Sequence, residues 1–600
     1  MKSRISKSLT ALVAGLSVVG VLAPWASAQA QDANLSTVID NEGTPISGGA
    51  LKYAMVGDPF SGVLSPLYSD NGKDYEIVGM FSPNLFGNDA NYKLDDSGFG
   101  KIKFDKDNKK VTITIPQGTK WDDGEPVTIE DVIYPYYVIG HKDYTGVRYG
   151  SDFQNVVGME EYHAGTTDTI SGLKKVDDYT LEVTYKEFSN SMLQAWGGVS
   201  NYMVPKHAYE NIPIKEQVDS DVVRKKPVGF GPFKVKSITP GESVILEANE
   251  YYYKGKPKID TVQMDVVNAS TAVSEMKAGN YDIASLPADS YSTYKDATNF
   301  KTIGQVENTV QYLGFHLGKW NADKQEVEVD ESKVINNKSL RQAMGYAVDN
   351  GAIGQRFYEG LRWQANSPIP PTFKDIADSS REGYTYQPEK AKQILADAGF
   401  VDKDGDGFVE DPKGNQFSLK YLAMSGTDVA EPIAQYYVDA WKQVGINVEL
   451  YEGRLHEFNS FYDLLGTDAD IDVFSAAMGF GGDPNPAFMF GRNAQFNYMR
   501  YASDQNDSLL KDIRSDASFD ADYRKEAFKK WQDFIMDEVP MVPTLYRYQL
   551  TSFNNRIKHY DATPGVDFDW NQVELTADSP IKEWVNEKAG IFPAFLLLIG

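Results

Sequence analysis

Apolar residues recur along this chain in two rhythms. In QFSLKYLAM (416–424) they alternate with polar ones, the two-residue period of a half-buried strand. In DVAEPIAQYYVDAWKQV (428–444), Val429, Ile433, Tyr436, Tyr437, Ala440 and Trp441 share one helical face, and Gly445 stops the helix. INVELY (446–451) returns to strand. The run therefore predicts a βαβ unit with parallel neighbouring strands. IDVFSAAM (471–478) predicts a third strand. A second unit lies earlier: strand IDTVQMDVV (259–267), helix STAVSEMKA (270–278) ended by Gly279, and strand YDIASL (281–286), with GALKYAM (49–55) as a further strand.

Two α/β regions so far apart in sequence predict two lobes. VQYLGFHL (310–317) and MVPTLYRYQL (541–550) are extended apolar stretches placed to cross between them. Two lobes joined by more than one strand form a hinge about a cleft. KVTITIPQGTKWDDGEPVT (110–128) differs in character. It alternates and turns at Gly118 and at Asp123-Gly124, which predicts an antiparallel, separate small subdomain.

Composition narrows the function. Six hundred residues suit two to four domains, and the 42% apolar content supplies their cores. A net charge of −26 argues against nucleic acid or an anionic membrane as partner. The 12% aromatic content suits a ligand cleft as well as packing. With no cysteine there is no disulfide, thiolate nucleophile or cysteine metal site. The six histidines are scattered, and HEFNS (456–460) has Ser460 where a zinc-protease helix needs its second His. No Gly-x-Ser-x-Gly elbow or phosphate loop occurs, so an enzyme is not expected. Lys2, Arg4 and Lys7, the apolar run LTALVAGLSVVGVLA and the small residues of ASAQA read as a signal peptide over 1–30, so the mature protein is expected outside the cytoplasm. FPAFLLLIG at the end is apolar but too short to span a bilayer.

Six motifs occur in order between residues 120 and 400, within a likeness that extends over roughly 48–580: KWDDGEPVTIEDVIYPY (120–136), PVGFGPFKV (227–235), NEYYYKGKPKID (249–260), MKAGNYDIA (276–284), NKSLRQAMGYAVDN (337–350) and YQPEKAKQILADAGF (386–400). Together they resemble extracellular solute-binding family 5, the peptide-binding proteins of ABC importers. VVGMEEYHAGTTDTISGL (156–173) resembles the oligopeptide-binding branch of lactic-acid-type Gram-positive bacteria, whose members are usually lipoproteins; this chain has no cysteine to carry the lipid. The resemblance implies an α/β, two-lobed periplasmic-binding-protein-like fold with an extra small subdomain and the ligand cleft between the lobes. The expected division is 46–80, 172–308 and 546–585 for lobe I, 81–171 for the subdomain, 309–545 for lobe II and 586–600 for the apolar tail. The expected function is capture of oligopeptides by a monomer and delivery to ABC permease subunits, with no cofactor required. A receptor for signalling peptides, or a member binding a nickel complex, haem or sugar, is the alternative.

Two candidate sites follow. The resemblance places Phe480, Gly481, Gly482 and Asp483 at the ligand, with Phe480 where the family usually has Trp and Asp483 meeting the peptide's α-amino group. Its glycines would let backbone approach the ligand. The other is DKDGDGFVEDPKG (402–414), where Asp402, Asp404 and Asp406 take positions 1, 3 and 5 of a calcium loop and Lys413 takes position 12, where an EF-hand has Glu. A strand, not a helix, is expected after it, which excludes a sensor. Two readings stay open: a structural calcium held by Asp402, Asp404, Asp406, the Phe408 carbonyl and Glu410, or a solvated acidic turn.

Overall fold

The computed structural model describes residues 35–566 and 568–583. The expected signal segment and apolar tail lie outside them. The described residues form a mixed sheet of twelve strands in two halves that share one strand. The lobe II half runs Val448–Leu450, Leu419–Leu422, Val473–Gly479, Thr309–Phe315 and Met541–Asn554. The lobe I half runs from Met541–Asn554 through Ile283–Ser285, Ala50–Val56, Thr261–Val267 and Ser243–Ala248 to Phe233–Thr239.

The expected βαβ unit is present, with Leu419 opposite Val448 in a parallel ladder and helix Ala430–Gln443 between the strands in sequence. That helix buries Tyr437, Val438 and Trp441 on the face its periodicity marks, inside the large lobe II core. In lobe I, Ala50–Val56 inserts between Thr261–Val267 and Ile283–Ser285, parallel to both. The Gly-x-x-Asp motif serves this sheet. The Asp282 carboxylate accepts from Arg556 Nε and Nη2 at 2.5 and 2.6 Å and from the Lys52 amide at 2.8 Å, with the Asp282 and Arg556 side chains out of water.

Both expected crossings are strands, and they pair with each other. Met541–Leu545 lies antiparallel to Thr309–Phe315, and Tyr548–Asn554 lies antiparallel to Phe300–Val306. One fourteen-residue strand, Met541–Asn554, thus belongs to both lobes.

The small subdomain is antiparallel, in the order Lys101–Asp105, Lys110–Thr114, Thr180–Thr184, Leu173–Asp177. Its extent differs from the sequence-based boundary, which gave 172 onward to lobe I. Lys110–Thr114 pairs along its length with Thr180–Thr184, and Leu181 and Val183 join Val111, Ile113 and Trp121 in the subdomain's own core. The alternation in 180–184 fits either sheet, and only the partner strand decides. The WDDG signature also works structurally. Trp121 donates to Asp131 at 3.3 Å, and Asp122 accepts from the Gly229 amide at 2.9 Å, fastening the subdomain to the segment that leads into lobe I.

Candidate functional site

Strand Val473–Gly479 ends beside the crossing, and the loop that follows carries the predicted ligand residues. The Phe480 amide donates to Asn308 O at 2.7 Å, and Asn308 Nδ2 donates to Gly481 O at 3.1 Å. Asn308 lies between the strands Phe300–Val306 and Thr309–Phe315, so the loop is fastened to the crossing itself. Tyr92 of the subdomain donates its hydroxyl to Asn308 Oδ1 at 3.0 Å. Three units therefore meet at one asparagine. Phe480 is buried against Phe373 and Phe488, and Tyr92 packs on the same Phe373.

Gly482 has a sharper reason to be glycine than the sequence offers. A Cβ there would stand 2.8 Å from Ala195 Cβ, Ala195 O and Tyr92 Cβ, closer than carbon atoms pack. The backbone's close approach is to the subdomain, where a ligand was expected. Gly481 is exposed, with Trp196 Cβ 3.3 Å from where its own Cβ would be.

Asp483 also differs from expectation. It sits 3.6 Å from Arg524 Nη2 of helix Ala521–Glu538, both side chains little exposed at 12% and 13%. It accepts from the Asn485 amide at 3.3 Å. Burial pushes its carboxyl above the usual range, while Arg524, the Ser191 hydroxyl and Arg514 pull it back. In this structure its nearest cation is Arg524, and burial outweighs that guanidinium in setting the carboxyl's shift. Across from it, Asp152 on the subdomain helix Ser151–Gln154 is shifted upward as well, by burial first and with a contribution from Asp483, while Arg514 opposes the shift.

The acidic loop folds as sequence suggests on its first half and differs on its second. Carboxylate oxygens of Asp402, Asp404 and Asp406, all exposed, converge within 4.8 Å of one another. Asp402 accepts from the Gly405 and Gly407 amides at 2.7 and 3.0 Å, and both glycines take positive φ, 81° and 94°. Asp404 accepts from the Asp406 amide and Gln416, and Asp406 from the Phe408 amide. Glu410 turns away from this group. It is buried and accepts from the Lys403 amide at 2.8 Å. The loop lies between helix Pro388–Asp397 and strand Leu419–Leu422, as a helix-to-strand connection. HEFNS resolves simply: Glu457 caps helix Phe458–Gly466, accepting from the Asn459 and Ser460 amides, and His456 is buried before it.

Residues 100–498 match the family model described as bacterial extracellular solute-binding proteins, family 5, middle. The oligopeptide-binding protein OppA of Lactococcus lactis subsp. lactis is 31% identical over 519 residues, covering 84% of this chain and 86% of that protein. The chain belongs to extracellular solute-binding protein family 5. Among solved structures, lactococcal OppA complexed with an endogenous peptide in the closed conformation superposes on this family 5 protein with a TM-score of 0.82 at 29% identity, covering 88% of this chain and all (100%) of that one. AppA from Bacillus subtilis in complex with a nonapeptide follows at TM-score 0.71 and 26% identity, covering 89% and 100%. The two-lobed fold expected from sequence is thus the family's fold. No helix among the described residues is long and apolar enough to cross a membrane.

Proposed function

We propose that this protein captures oligopeptides outside the cytoplasm, closes its two lobes on them and delivers them to the permease subunits of an ABC importer, acting as a monomer without catalysis. The observation that carries the reading is the frame itself: two α/β lobes sharing the strand Met541–Asn554, with the candidate ligand loop fastened to the crossing at Asn308. Its likeness to the peptide-loaded, closed lactococcal protein supports the same reading. A cleft of this kind binds peptide main chain through hydrogen bonds and leaves side chains to roomy, wet pockets. Loop 480–483 acts in closure: its Asp483 pairs with Arg524 and its Gly482 seats against Ala195, so it forms the wall that meets the subdomain. Mass spectrometry of the ligand released from purified protein tests the reading directly. A peptide mixture is the expected result; haem, a nickel complex or a sugar in its place would overturn it. We also propose a structural calcium in the loop of Asp402, Asp404 and Asp406, supported by their convergence, with Glu410 outside the coordination set.

A further inference from the structure

Phe519 belongs to lobe II by sequence and to the subdomain by packing. It ends the short turn Asp516–Phe519, between helices Asp504–Arg514 and Ala521–Glu538. Its ring packs against the subdomain's core and not against that of lobe II. It lies nearly parallel to the ring of Phe188, 16° off with centroids 6.1 Å apart, and Phe188 in turn meets Phe104 edge-on at 6.1 Å. Lys106 Nζ stands over the Phe519 ring, 3.9 Å from its centroid. The joint is thus built from three subdomain side chains and one residue of lobe II.

The turn that presents Phe519 is firmly mounted. Ser515 Oγ donates to Asp512 O at 2.8 Å at the end of one helix, and Asp520 caps the next by accepting from the Tyr523 amide at 2.8 Å. Trp531 donates to Asn506 at 3.2 Å and ties the two helices together. Helix Ala521–Glu538 has 18 residues and leads at its far end into the shared strand Met541–Asn554. Phe519 is therefore held about 27 Å along a helical arm from the start of the crossing. A rotation of about 10° at the crossing would carry a point on such an arm by up to about 5 Å, enough to lift the ring off Phe188. The other side of the joint is fastened to the segment leading into lobe I, where the Asp122 amide donates to Gly229 O and the Gly229 amide to the Asp122 carboxylate, both at 2.9 Å. Segment 188–195 meets lobe II twice, at Phe519 through Phe188 and at Gly482 through Ala195.

We propose that Phe519 is a positioning residue for peptide retention: it latches lobe II to the subdomain in the closed state and sets how long a peptide stays, without touching it. The inference rests on the peptide-binding reading above and adds the group that holds the cleft shut. Parting the lobes returns the face of Phe519 that meets Phe188 to water, so the cost of exposing that apolar surface falls on opening alone. A contact made only in the closed state changes release and leaves association nearly as it was. The competing role is a static brace, made whether or not peptide is bound, which would support stability and leave peptide kinetics alone.

Stopped-flow fluorescence with two labelled synthetic nonapeptides of unrelated sequence separates these. Phe519→Ala is expected to raise the dissociation rate of both about tenfold, with association rates within about twofold of wild type, since interface substitutions act mostly on release. Phe519→Leu, which keeps an apolar side chain, and Lys106→Ala, on the exposed side of the joint, should each raise it about threefold. The melting temperature of the ligand-free protein should not move in any variant, while the increase that saturating peptide gives should shrink. The two milder variants decide the question if Phe519→Ala does not fold. Unchanged peptide rates, with or without a lower ligand-free melting temperature, overturn the latch. Faster release of one peptide only would make Phe519 a ligand contact and overturns it as well. A wild type that binds neither peptide overturns the peptide-binding reading itself.

Discussion

Asp122 shows how a motif that identifies a family can serve a structural joint. Burial raises its carboxyl from 3.8 to about 7, while the Gly229 amide and Lys234 stabilise the anion. Because the folded pKa lies above the unfolded one, the folded state holds the proton more tightly, and stability falls as pH rises from about 4 to about 7. Asp122→Asn keeps an acceptor for Gly229 and removes the charge. It should match wild type near pH 4 and exceed it by roughly 1–4 kcal/mol near pH 8, given about 1.4 kcal/mol per pKa unit. Urea midpoints at the two pH values check this, and an equal gap at both would assign the effect to packing. Asp282 is buried as well, and burial raises its carboxyl too, but it is held by two guanidinium bonds. Removing it in Asp282→Ala leaves Arg556 buried and unpaired, for an expected loss of about 3–5 kcal/mol in the unfolding free energy.

At the scale of elements, the sequence was most legible where periodicity and partner coincide. Trp441 and Tyr437 mark the buried face of helix Ala430–Gln443, and strand 446–451 must follow it in parallel. Leu181 and Val183 were misplaced because an alternating strand carries no label for its sheet. Phe480 to Asp483 could be located by resemblance, but the partners Arg524, Ala195 and Tyr92 are long-range and leave no local trace. Gly482 makes that contact testable. Gly482→Val should hinder the approach of subdomain and lobe II, weakening peptide affinity by about tenfold or more with little change in melting temperature, since over-packing here falls on closure. Full affinity in the variant would show that the loop moves aside at no cost. For the acidic loop, calcium should raise the melting temperature of wild type and leave Asp404→Ala/Asp406→Ala unmoved, since a ligand bound only by the folded state stabilises it.

On the scale of the whole molecule, the lobes are expected to move about the two paired crossings. Saturating peptide should lower the radius of gyration measured by small-angle scattering. An unchanged radius would argue that the cleft stays shut without ligand, so that peptide entry requires local opening at the contact of Gly482 with Ala195.

The shared strand has a consequence for how the chain is made. Met541–Asn554 is fourteen residues placed near the end of the sequence, and it closes the hydrogen-bond ladders of Thr309–Phe315, Phe300–Val306 and Ile283–Ser285 together. A chain emerging from its N-terminus therefore reaches residue 540 with both sheets carrying an open, apolar edge. Neither lobe can finish folding ahead of the other. Truncation just before Met541 should leave both lobes, and not one, sensitive to protease.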